Sequence, residues 1–381
     1  MTNPLRWTMM ATQVPAGGSL GGVVRYTTEL TRALAERDDV IVSAVTTRSA
    51  ADTVGELVGA AGRIYTVPDL PTAALSLAER YLRLPAWHDG ADVVQGVKHL
   101  LPMRSDALRV LTVHDMLLLD RSQDFGAAKR LLLPRPYRSS IADADLLLCV
   151  SAATRDRLAA LVPGAQDRAD VVHLATSSSL RSATPQPIDA LHGRRFALAV
   201  GDPTPRKNLR TIVTAWAAVW ARHPGVALAI AGPPSWGRTV LGAMYQRLVD
   251  LGAIVSLGQV SDAELRWAYE HADVVLCPSL AEGFGLPAAE ALDLGAPVLI
   301  SDDPAMREVC AGRERAALPA LNVDAWVAEI SDALAGPRRT VADAAARTWA
   351  DVADDTVRSV RAALAARDGV SPRQPTALRS A

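Results

Sequence analysis

The chain of 381 residues is poor in the residue types that mark several protein classes. It has only three cysteines, Cys149, Cys277 and Cys310. Each lies in or beside an apolar run, so they read as small buried hydrophobes of a reducing compartment. Their separation suits neither a disulfide framework nor a zinc site. Net charge is −1, from 40 basic and 41 acidic side chains, which gives no general attraction to nucleic acid. No apolar run reaches the length of a membrane span. No basic stretch leads into an apolar run and a small-residue cleavage site, so a secretion leader is not expected and a cytoplasmic location is. Aromatic residues make up 4% of the chain, while hydrophobic residues make up 49%. The core must therefore be mostly aliphatic. The length exceeds what one hydrophobic core supports and points to two domains. The wealth of alanine and arginine suggests a bacterial source.

What is present is a succession of short apolar strands separated by helical patterns, the signature of parallel βαβ units. Strands are expected at 6–14, 40–45, 63–67, 93–97, 109–113 and 144–151, then at 195–201, 226–231, 254–258, 274–278 and 297–300. The richest stretch runs from Ala281 to Pro297. A strand leads into Gly283-Phe284-Gly285, and a helix follows with Pro287 in its first turn, where proline costs no hydrogen bond. A strand, a glycine turn and a helix N-terminus aim backbone N–H groups at an anion. Two carboxylates bracket the turn, Glu282 before it and Glu290 one helical turn beyond. Carboxylates accept paired hydrogen bonds from a diol, so the ligand suggested carries both phosphate and hydroxyls. Either Glu alone would read as an ordinary N-terminal helix carboxylate.

Glu282 and Glu290, eight residues apart around Gly-Phe-Gly, resemble the Glu-x7-Glu signature of the family-four retaining glycosyltransferases. The resemblance covers most of the chain. It implies the GT-B architecture, an α/β fold of two Rossmann-like domains with parallel sheets facing across a cleft. Residues 1–180 would form an acceptor-side domain, joined by a last helix at about 345–366, and residues 190–344 a nucleotide-sugar domain. The Ser-, Thr- and Pro-rich residues 176–187 read as the linker, and 368–381 as a disordered tail. The implied reaction moves a hexose, mannose- or glucose-like, from a nucleotide diphosphate sugar to a hydroxyl acceptor, by front-face attack and without a metal or other cofactor. A GDP- or UDP-linked donor and a glycan or lipid-linked acceptor are family-level inferences.

The remaining motifs fall into place beside that resemblance. Arg206 and Lys207 stand at a helix start, where the helix dipole disfavours cations by about 0.3–1 kcal/mol each; a bound anion would compensate. They match the family's diphosphate-binding pair. His114 ends a buried strand, where open α/β sheets bind ligands. On position alone it reads as a structural histidine, but it matches a cleft histidine that contacts the donor sugar, with Asp115 placed to orient its ring. The loop at 15–22 holds Gly17, Gly18, Gly21 and Gly22. It fails the dinucleotide pattern because Ser19 replaces a glycine, and the next strand ends at Thr46-Thr47-Arg48 without a ribose-binding carboxylate. The family's donor-facing Gly-Gly loop is matched in type, with Gly17 and Gly18 taken as the pair. Gly201, Gly232, Val260, Gly283, Phe284, Gly285 and Leu286 complete the donor-binding set. Trp236 reads either as a base-stacking or as a packed loop residue. Asp143-Ala144-Asp145 spells a metal-binding D-x-D without partner ligands and reads as chance. Residues 127–140 interleave Lys129, Arg130, Arg135 and Arg138 with Leu131-Leu132-Leu133. They read as a solvated face over core leucines, or as a patch facing acceptor or membrane. Ser151 and the pair Ser261/Glu264 are expected helix caps. Helices are expected at 323–334 and 341–366, with Trp349, Val352 and Val360 as a packing face. A nucleotide-sugar epimerase of the same fold, and a non-catalytic nucleotide-sugar or carbohydrate-binding protein, are the alternatives.

Overall fold

A computed structural model describes residues 3–17, 21–81, 90–103, 105–232, 241–338, 340–341 and 346–369. Gly18, Trp236 and most of the expected tail lie outside the described residues. The first half carries seven parallel strands, β1 (Leu5–Met10), β2 (Val40–Thr47), β3 (Ile64–Val67), β4 (Val93–Gly96), β5 (Leu108–Val113), β6 (Leu146–Cys149) and β7 (Ala169–Val171). Their order is β3-β2-β1-β4-β5-β6-β7. The second half carries β8 (Arg195–Val200), β9 (Val226–Ala231), β10 (Ile254–Gly258), β11 (Val274–Cys277), β12 (Val298–Ser301) and β13 (Ala316–Leu318), in the order β10-β9-β8-β11-β12-β13. Every described strand pair is parallel. Both sheets reverse their winding beside their first strand, so each half is Rossmann-like and opens a crevice at the carboxyl ends of its strands.

Fully buried strands such as β11 (Val-Val-Leu-Cys) and β12 (Val-Leu-Ile-Ser) have helices on both faces, which is why they read as continuous apolar runs. All three cysteines are buried and unpaired. The helix Trp349–Gly369 returns to the first half, where Trp349, Val352 and Val360 are buried with the residues of the Gly22–Ala35 helix.

Several boundaries differ from the sequence reading, each for a local reason. β1 stops at Met10, because the chain turns there and the Val14 amide donates to the Ala11 carbonyl. The last helix starts at Trp349 and not at 341, because Thr348 and Asp351 form a reciprocal cap. The Asp351 amide donates to Thr348 Oγ1 at 3.2 Å and the Thr348 amide to Asp351 Oδ2 at 2.8 Å. That helix runs on to Gly369, two residues into the stretch expected to be tail. The segment 176–187 does join the two sheets, but as an ordered connection: it contains the helix Ser178–Ser182, and Thr176 and Ser177 are buried. Buried Glu29 holds it, accepting from Ser177 Oγ at 2.7 Å and the Ser178 amide at 2.9 Å. Residues 127–140 split into helices Ala127–Leu132 and Pro134–Asp143, broken at Pro134. Of the leucine set only Leu133 enters the core, while Leu131 is 77% exposed and Leu132 is 45% exposed. The reading of these leucines as core is corrected. Asp143 and Asp145 pair separately with Arg80 and Arg109.

Candidate active site between the two sheets

Between the halves lies a cavity of about 410 Å³. The first half lines it with Gly21, Gly22 and Arg25 after β1, and with His114 and Asp115 after β5. The second half lines it with Gly201 after β8, Arg206 and Lys207, Gly232 after β9, Val260 after β10, and the run from Glu282 through Pro287 with Glu290 after β11. Of the catalytic and donor-binding residues expected from the sequence, those among the described residues all line this cavity except Gly17. Gly17 is not among the lining residues, its amide donating to Thr53 Oγ1 at 3.2 Å, and Gly18 lies outside the described residues. Among the described residues of the loop, Gly21 and Gly22 border the cavity.

The loop after β11 is shaped by two glycines with different reasons. At Gly283 a Cβ would stand 1.6 Å from the His114 carbonyl oxygen, so this backbone touches the end of β5 and no side chain fits. Gly285 has φ +94°, and turns the chain into the Leu286–Asp293 helix in the left-handed region that L side chains avoid. Between them Phe284 is buried in the hydrophobic core of the first half, its ring 6.1 Å from that of His173. The Gly283 carbonyl accepts from Ser151 Oγ at 2.6 Å and Thr154 Oγ1 at 3.0 Å. Ser151 also caps the Ala152–Leu161 helix, as its sequence position suggests. Glu308 reaches across from the second half to the same helix start, accepting from the Ala152 and Ala153 amides at 2.7 and 2.9 Å.

Glu282 is the electrostatic centre. Its Oε1 accepts from Lys207 Nζ and Ser279 Oγ, each at 2.6 Å, and its Oε2 from Arg206 Nη1 at 3.3 Å. Burial alone would raise its pKa, but Lys207 and Arg206 outweigh burial and hold it down at about 2. The two cations sit in a 3₁₀ turn, Pro205–Lys207, ahead of the Leu209–Arg222 helix. Glu282 offsets one of their two charges, so the cluster keeps a net positive charge to meet an anionic ligand. Their donor capacity is far from used up, since an ammonium has three N–H groups and a guanidinium five.

Glu290, 3% exposed, accepts from Arg25 Nη1 at 2.7 Å and from Tyr269 OH at 2.9 Å. Burial pushes its pKa up, against the pull of Arg25. Tyr269 comes from the Asp262–His271 helix, which opens with the expected Ser261/Glu264 capping box.

His114 differs from expectation in what orients it. Its Nε2 lies 3.0 Å from the Val97 carbonyl, and Tyr26 packs edge-on to the ring at 4.7 Å. Asp115 instead accepts from the Leu117 amide at 3.0 Å. A carbonyl can only accept, so Nε2 carries the proton and Nδ1 is the acceptor of a neutral ring. Burial keeps the ring neutral, with its pKa lowered to about 4. Tyr26 is fixed by Gln95 and Thr112 in a buried network that also holds Trp7.

The sequence reading missed Arg25, Tyr26, Ser279, Tyr269 and Glu308. Only Arg25 left a trace, as a cation in a helix's first turn, the anomaly that drew attention to Arg206 and Lys207. Among the described residues no cluster of His, Cys, Asp and Glu could hold a metal ion.

Two Rossmann-like halves closing on such a cleft define the GT-B class. Family models agree: "Glycosyltransferase Family 4" matches residues 20–177 and "Glycosyl transferases group 1" matches residues 182–349. O-antigen chain mannosyltransferase B of Escherichia coli is 30% identical over 265 residues, covering 66% of this chain and 68% of the relative. D-inositol 3-phosphate glycosyltransferase of Nocardia farcinica is 30% identical over 243 residues, covering 59% and 54%. The sucrose-phosphate synthase structure from Thermosynechococcus elongatus superposes with TM-score 0.72 at 19% identity, covering 95% of this chain and all of that one. The chain belongs to the GT-B glycosyltransferases that these two models describe.

Proposed function

We propose that the protein transfers a hexose from a nucleoside diphosphate sugar to a hydroxyl acceptor, with retention of anomeric configuration. The observation that carries this reading is the Glu282–Lys207–Arg206 cluster on the wall of the cleft cavity. Lys207 and Arg206 neutralise the departing diphosphate with the N–H groups that Glu282 leaves free, and the uncapped start of the Leu286–Asp293 helix adds its dipole. Charged hydrogen bonds contribute about 1.5–3 kcal/mol each, so two give roughly 10²–10⁴ in rate when made mainly in the transition state. Glu282 holds hydroxyls of the donor sugar and Glu290 those of the ribose. Neutral His114 accepts from a sugar hydroxyl through Nδ1. With two cations at the leaving group, this chemistry needs no metal ion.

The E. coli relative, an O-antigen chain mannosyltransferase, supports mannose as the first donor sugar to try and a glycan acceptor. Exposed Leu131 and Leu132 beside Lys129 and Arg130 suit shallow contact with an anionic membrane face. Among the described residues no helix is long and apolar enough to cross a membrane.

The test is turnover and thermal stabilisation with UDP, GDP, ADP, dTDP and NAD in the wild type, Arg206→Ala and Lys207→Ala. One nucleoside diphosphate should shift the melting midpoint, and each substitution should lower turnover at least tenfold while the chain stays folded. Unchanged turnover in both variants refutes the leaving-group role. A shift with NAD alone refutes the transferase reading.

A further inference from the structure

The cation that bridges the cleft has no role so far. Arg25 is in the first turn of the Gly22–Ala35 helix, whose first turn carries no acidic residue and no side-chain cap. The helix dipole disfavours a cation there. The Arg25 guanidinium nonetheless points into the cavity, 21% exposed, with Nη1 on Glu290 at 2.7 Å and Nη2 on Asp262 at 3.3 Å. Both partners belong to the opposite half, 265 and 237 residues away in sequence. Arg206, Lys207 and Arg25 therefore share one arrangement. Each is a cation on the cavity wall, held by one of the two carboxylates assigned to the donor's hydroxyls.

Resting on the transferase reading above, we propose that Arg25 is a third cation for the donor diphosphate, supplied from the half opposite Arg206 and Lys207. It uses two N–H groups on Glu290 and Asp262 and has others to offer, in a planar fork that suits phosphate. Glu290 likewise keeps acceptor capacity beyond Arg25 and Tyr269. Ribose on Glu290 and phosphate on Arg25 then complete a single network that spans both halves. Donor binding and closure of the cleft become one event, because the diphosphate meets its third cation only with the first half in contact.

Binding of UDP, GDP, uridine and guanosine to the wild type, Arg25→Gln and Arg25→Lys tests this, using the base that the wild type accepts. Arg25→Gln should weaken the nucleoside diphosphate about 10- to 100-fold, as expected for charged hydrogen bonds, while the nucleoside, which meets Arg25 only through Glu290, should weaken at least fivefold less. Arg25→Lys keeps the charge without the fork and should weaken the diphosphate at least threefold, which serves if the Gln variant does not fold. Equal weakening of nucleoside and diphosphate means that Arg25 only joins the halves, and overturns the proposal. So does unchanged diphosphate binding in both variants. A wild type that binds none of the diphosphates instead overturns the transferase reading beneath it.

Discussion

Replacing Glu282 by Gln keeps the shape of the side chain and removes the charge that Lys207 and Arg206 surround. Glu282 is 10% exposed, Lys207 13% and Arg206 30%, so solvent screens the cluster only in part. The interval from the ordinary 4.5 down to about 2 in the folded chain, at 1.36 kcal/mol per pH unit, corresponds to about 3 kcal/mol of stability. A depressed carboxyl pKa contributes its stability above the unfolded value, and loses it as pH falls toward the folded one. About 0.8 kcal/mol should be gone at pH 4 and about 2 kcal/mol at pH 3. Removing the carboxylate also leaves two partly buried cations without their counter-ion, a loss of about 3–5 kcal/mol for buried pairs in general. Urea unfolding at pH 7, 4 and 3, followed by fluorescence and by circular dichroism, provides the measurement. The Gln variant should be less stable by about 3 kcal/mol or more at pH 7, and its deficit should narrow by the amounts above as pH falls. A deficit that stays constant from pH 7 to pH 3 refutes the assignment of a strongly depressed Glu282, and with it the pairing of one carboxylate with both cations.

Two further outcomes follow from the loop and the histidine. Gly283→Ala puts a Cβ against the His114 carbonyl oxygen, forcing the loop off the end of β5. Its melting midpoint should fall and turnover should drop at least a hundredfold, whereas wild-type turnover would show that the contact is dispensable. His114, with its pKa lowered to about 4 by burial, stays neutral at working pH. A limb in kcat/KM between pH 5.5 and 8 that disappears in His114→Gln would contradict this. The unfolded ring binds its proton near 6.5 and the folded one only near 4, so stability should fall through that window as pH decreases. The same substitution should flatten that part of the profile in a melting series.

The portion of the site legible in the chain is the portion built from local spacing. Glu282, Gly283, Gly285 and Glu290 are bound to one another by a turn and one helix, and fixed offsets express that geometry. The caps at Ser151 and Ser261 close hydrogen bonds over three residues, so they too have a fixed sequence signature. Alternating buried strands and helices declared the two parallel sheets for the same reason. The chain also identified cations at helix starts as anomalies, but not what neutralises them.

Only the tertiary structure decided the partners. Arg25 meets Glu290 across 265 residues, Ser151 meets Gly283 across 132, and Glu308 meets Ala152 across 156. Phe284 looks like part of a flexible turn in sequence, yet it is packed in the opposite half's core. Leu131 and Leu132 look like core and are exposed, on the short helix Ala127–Leu132 that ends before Pro134. Periodicity and hydrogen-bond spacing encode what lies within a few residues along the backbone. Contacts between halves depend on how two independently wound sheets dock, and no interval in the sequence records that distance.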